Sequence, residues 1–87
     1  MLITTQTYAF TPPGGDPRSP IMIFGLQEYE PGQSRKVDVW RLSVPAEVET
    51  SLPTGTEFYT FAGVTRILAQ LFCDGDESAV AQLIESK

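Results

Sequence analysis

Ten residues near the start of the chain constrain its fold most. Thr11-Pro12-Pro13-Gly14-Gly15-Asp16-Pro17-Arg18-Ser19-Pro20 holds four prolines and two glycines. Proline has no N–H to give a helix or a sheet ladder, and glycine loses the most backbone freedom on ordering. No regular element continues through such a stretch, so it reads as an exposed loop. That loop is long for a chain of 87 residues, and loops of this length are often functional or mobile.

Before the break, Leu2 to Phe10 is rich in Thr, Ile, Tyr and Phe. Neither alternating face is cleanly apolar, but the β-branched and aromatic content predicts a strand over about 2–10. After the break, Ile21 to Tyr29 opens with a continuous apolar run, the mark of a central strand buried on both faces. Glu30-Pro31-Gly32-Gln33-Ser34 is a turn, with Pro presetting one φ and Gly accepting a positive one. A third strand is expected over about 35–44, forming a hairpin with the second. Its apolar face switches at Val39/Trp40, which predicts a bulge there or burial of its two halves on different sides.

Pro45 ends that strand. Pro45 to Leu52 suits either a short helical turn or an edge strand, and proline followed by acids favours the turn. Pro53-Thr54-Gly55 is a further turn, and Thr56 to Tyr59 has room for a brief strand. From Phe61 to Phe72 the apolar side chains Phe61, Val64, Ile67, Leu68, Leu71 and Phe72 fall along one side of a 3.6-residue helix. Thr60 is placed to cap it, and Gly63 is an internal penalty unless a close contact uses it. Asp74-Gly75 ends the helix, and Asp76 caps a second one over about 77–86. Strands first and helices last predict an α+β fold. It is a single domain with a small three- or four-stranded, mostly antiparallel sheet and two C-terminal helices packed on one face.

The composition narrows the chemistry. There is no His and one Cys, so neither a Ser-His-Asp nor a Cys-His arrangement can form, nor a structural zinc site within one chain. Cys73 falls at a helix end, where the dipole disfavours a thiolate. Asp74, Asp76 and Glu77 lack the spacing of a calcium loop and read as helix capping. Gly14-Gly15 lacks the lysine and the following helix of a phosphate cradle. The expectation is a non-enzymatic chain without catalytic residues, metal or cofactor. One Cys excludes an intrachain disulfide, and the first residues have neither a basic nor an apolar leader region. No apolar run is long enough to span a membrane, so a cytoplasmic protein is expected.

Eleven acids against six bases leave a net charge of -5. That balance disfavours direct nucleic-acid binding, which needs clustered Lys and Arg. It favours a protein partner with a basic surface, mainly through association rate. Glu28, Glu30, Glu47, Glu49 and Glu57 are the steering candidates. Tyr29, Trp40 and Tyr59 are candidate aromatic anchors, with the proline loop as a stiff segment a partner could grip. The leading expectation is a small acidic inhibitor or adaptor docking on a basic, nucleic-acid-handling partner. In size and charge, though not in sequence, it is like the inhibitors that phages direct against defence systems, anti-CRISPR proteins among them. The second reading is a structural subunit or homo-oligomer, motivated by a thin core and surplus apolar strand surface.

Overall fold

A computed structural model describes residues 1–28, 32, 37–53 and 55–87. The chain runs β1 (Leu2–Phe10), β2 (Ile21–Glu28), β3 (Val39–Ser43), α1 (Ala46–Glu49), β4 (Glu57–Phe58), α2 (Phe61–Phe72), α3 (Glu77–Leu83) and β5 (Ile84–Ser86). The strands form one antiparallel sheet of five, in the order β4-β3-β2-β1-β5. The fold is α+β, as the segregation of strand and helix signals predicts. Among the described residues the sheet is wider than three or four strands; the two C-terminal helices are present as α2 and α3, preceded by the short α1.

β2 is the central strand, flanked by β1 and β3; its apolar run predicts burial on both faces, whereas Met22 and Phe24 are only half-buried. Ile21 and Ile23 face the helices and are buried with Phe10, Trp40 and Leu42. Val64, Ile67, Leu68 and Ala69 of α2 and Val80 of α3 close this core from the other side. Met22, Phe24, Leu26 and Val39 point the opposite way and stand outside that cluster.

Two boundaries differ from the sequence reading, each for a physical reason. The strand expected over 35–44 runs from Val39 to Ser43, with Val37 and Asp38 outside it; Arg35 and Lys36, like Tyr29, lie outside the described residues. Asp38 takes over the pairing just before β3. Its N–H donates to the Leu26 carbonyl at 2.8 Å, and its Oδ2 accepts from the Glu28 N–H at 2.8 Å. This also accounts for the apolar switch, because Val37 sits outside the strand and packs with the core beside Trp40. The β2–β3 register then runs unbroken from Leu26↔Val39 to Met22↔Ser43. The bulge lies instead in β1, between Thr4 and Gln6, where the Thr5 hydroxyl donates to the Gly25 carbonyl.

The second boundary is the helix expected over 77–86. It stops at Leu83, and Ile84 turns to extended backbone (φ -85, ψ 133). Residues 84–86 become β5, with Ile84 opposite Phe10, Glu85 opposite Ala9 and Ser86 opposite Tyr8. The buried end of β1 would otherwise leave its outer backbone groups without partners, and a short strand supplies them. The region of residues 45–60 follows the favoured reading. Ala46–Glu49 is the helical turn, and Glu57–Phe58 is the brief strand, paired with Trp40 and Arg41. The turn expected over 30–34 lies outside the described residues, apart from Gly32, whose φ is 87°.

Candidate functional site

The corner where β3, β4 and α2 meet brings three of the predicted anchor and steering residues together: Trp40, Glu57 and Tyr59. Its floor is aromatic. Phe58 lies opposite Trp40 in the ladder. The Trp40 ring stands 4.8 Å from Phe61 and 6.1 Å from Tyr8, and Tyr8 is 5.5 Å from Phe61. The tilted rings are the arrangement favoured by aromatic quadrupoles. Trp40 is only 8 % exposed. It therefore supports the corner from beneath rather than reaching a partner.

At this corner Glu57, Phe58, Tyr59, Thr60 and Gly63 line an open hollow of about 520 Å³. Two local devices fix its wall. Thr60 caps α2, its hydroxyl accepting from the Gly63 N–H at 3.0 Å. Gly63 keeps the wall close: a Cβ there would lie 3.2 Å from the Thr60 hydroxyl and 3.6 Å from the Phe58 ring. That contact is the use of a glycine inside an otherwise apolar helix. Glu57 is held by Arg41, with Oε2 2.8 Å from Nη2. Both side chains are exposed, so the pair contributes about 0–1 kcal/mol and mainly orients the carboxylate.

Tyr59 stands at the rim and is 87 % exposed. A large aromatic left that far out is the kind of group that anchors protein interfaces, where tyrosine is enriched. It follows the two-residue β4 directly and precedes the Thr60 cap, so its backbone is held on both sides.

The other predicted acids are not gathered here. Glu28 ends β2, where it pairs with the amino group of Met1. Glu47 and Glu49 are exposed on α1, which follows the opposite end of β3. The six steps along β2 from Met22, beside Ser43, to Glu28 alone span about 20 Å at ~3.3 Å per residue. Glu28 and the α1 acids therefore belong to separate ends of the sheet. Tyr29 and Glu30 lie outside the described residues. In the proline loop, Asp16 accepts from the Arg18 N–H at 2.9 Å and Ser19 N–H donates to the Asp16 carbonyl at 3.0 Å. The loop is thus a structured turn with an exposed tip.

Sequence reasoning did not foresee the hollow. Its lining comes from a two-residue strand and a helix cap, and no sequence pattern announces where those meet.

The pKa of Asp76 lies below the ordinary carboxylate value. Hydrogen bonds from the Ser78 hydroxyl at 2.6 Å and the Ala79 N–H at 3.3 Å lower it, against a small opposing desolvation, with the Ser78 N–H helping at 3.0 Å. This carboxylate caps α3. Among the described residues, no group of three or more His, Cys, Asp or Glu is placed to hold a metal ion. No described helix is long and apolar enough to cross a membrane. Comparison of the chain with family models, with curated proteins and with solved structures returned no match.

Proposed function

We propose that this chain is a non-enzymatic protein-binding module, an acidic inhibitor or adaptor that grips a basic partner at the β3–β4–α2 corner. The observation that carries this reading is Tyr59, 87 % exposed beside the hollow lined by Phe58, Thr60 and Gly63. The ring inserts into the partner, and a complementary side chain of the partner fills the hollow. Glu57 presents an oriented carboxylate at the same rim. The net charge of -5 adds long-range attraction to a basic surface.

The test is affinity capture with Tyr59→Ala beside the wild-type chain, read by mass spectrometry at low and high salt. Tyr59 has little burial to lose, so the variant folds. The expected result is one or a few basic proteins, held by the wild type and lost from Tyr59→Ala. Identical partner sets from the two chains would remove Tyr59 as the anchor.

The homo-oligomer reading is favoured by a separate observation, the open part of the β1 edge, taken up next.

A further inference from the structure

The outer edge of β1 is covered over only part of its length. β5 pairs with Tyr8, Ala9 and Phe10, and the Lys87 N–H donates to the Thr7 carbonyl at 2.8 Å. From Leu2 to Gln6, no strand lies on that side among the described residues. One row of backbone N–H and C=O groups therefore faces outward. Such a row is a template for another strand, and proteins usually guard it with charge, proline, a bulge or brevity.

The two edges of this sheet are guarded very differently. The β4 edge is two residues long and carries the exposed Arg41–Glu57 pair. The open stretch Leu2-Ile3-Thr4-Thr5-Gln6 has no charged residue and no proline. Its bulge at Thr5 is the one guard present.

Charge decides which strand fits. Two copies of a chain with net charge -5 repel over most approaches. Along this stretch no side-chain charge adds to that repulsion, since it is neutral and Glu28, near its start, is paired with the Met1 amino group. Geometry agrees. Antiparallel pairing of a segment with itself is two-fold symmetric, the commonest symmetry of soluble dimers. Centred on Thr4, just before the bulge, it sets Thr4 against Thr4. Thr–Thr is a favourable cross-strand pair.

We propose that the open edge of β1, Leu2–Gln6, pairs antiparallel with the same segment of a second copy, joining the two sheets into one. This site lies on the opposite side of the sheet from Tyr59, so it stands or falls independently of the partner-binding reading.

Sedimentation of the full chain from low-micromolar to several-hundred-micromolar concentration tests it, with Thr4→Lys as the variant. Thr4 is exposed, so the variant keeps the wild-type circular dichroism. Two lysines facing each other across the axis should raise the dimer dissociation constant by about tenfold or more. Thr4→Cys in a Cys73→Ser background should form a disulfide-linked dimer on mild oxidation. A wild type that stays monomeric throughout would overturn the proposal. So would a Thr4→Lys dimer as tight as wild type, or a wild-type dimer whose Thr4→Cys form does not cross-link.

Discussion

Gly25 shows how closely single atoms constrain this core. A Cβ at that position would sit 2.9 Å from Trp40 Cζ3, 3.0 Å from Val37 Cγ2 and 3.2 Å from Trp40 Cη2. Trp40 is clamped by Phe61 on one side and can retreat little. Gly25→Ala should therefore destabilise by about 1–3 kcal/mol, the usual cost of overpacking. A lower urea midpoint with an unchanged slope, followed by Trp40 fluorescence, is the expected readout. Asp76 makes a second prediction at the same scale. Its folded-state pKa lies below the unfolded value, so the cap stabilises fully above the ordinary carboxylate range. That contribution is lost as the pH falls through the depressed folded value. Asp76→Asn keeps a good cap without the titration. Between neutral and strongly acidic pH, the variant should lose less stability than the wild type; equal losses would show that Asp76 is not the group responsible.

The elements differ in how far they could be read from sequence. α2 was legible because its length gave the apolar period three turns to declare itself, and Thr60 stands where a cap must. Thr60→Ala should cost about 1 kcal/mol, within the ~0.5–2 range for lost caps, with thermal unfolding as the measurement. The end of α3 was not legible. Leu83 and Ile84 continue its apolar stripe, and Ile84 buries equally well from a helix or from a strand. What selects the strand is the unpaired backbone beside Phe10, a long-range demand that no local window contains. The apolar switch at Val39/Trp40, which allowed a bulge or burial of the two halves on different sides, marks no bulge for a related reason: Val37 packs beside Trp40 without belonging to the strand. Tyr59 and Glu57 were legible as candidate residues, but their meeting at one rim depends on a ladder of two residues. Whether the steering acids share a surface was not legible either, because linear spacing hides that Glu28 and Glu47 lie beyond opposite ends of the sheet.

At the scale of the molecule, the charge acts as a field. Arg18, Arg41 and Lys87 each sit beside an acid, whereas Glu47 and Glu49 on α1 have no ion-pair partner among the described residues. These two acids should carry much of the long-range attraction. Reversing both, in Glu47→Lys/Glu49→Lys, should slow association with a captured basic partner and flatten its dependence on salt, with dissociation little changed. Stopped-flow association at several ionic strengths checks this, and an on-rate indifferent to both salt and substitution would remove charge steering from the account.

The pairing of β5 with β1 joins residues 84–86 to residues 8–10. Synthesis produces these two segments almost a whole chain apart in time. While the ribosome is still making the helices, β1 can align with β2 but has nothing along its outer side. The nascent chain thus displays its bare strand from Leu2 to Phe10, in the crowded company of other copies emerging from the same message. Closing so long a loop is also slow, because its entropy must be lost before any ladder bond forms. The guard over Tyr8 to Phe10 arrives only when residues 84–86 have left the tunnel.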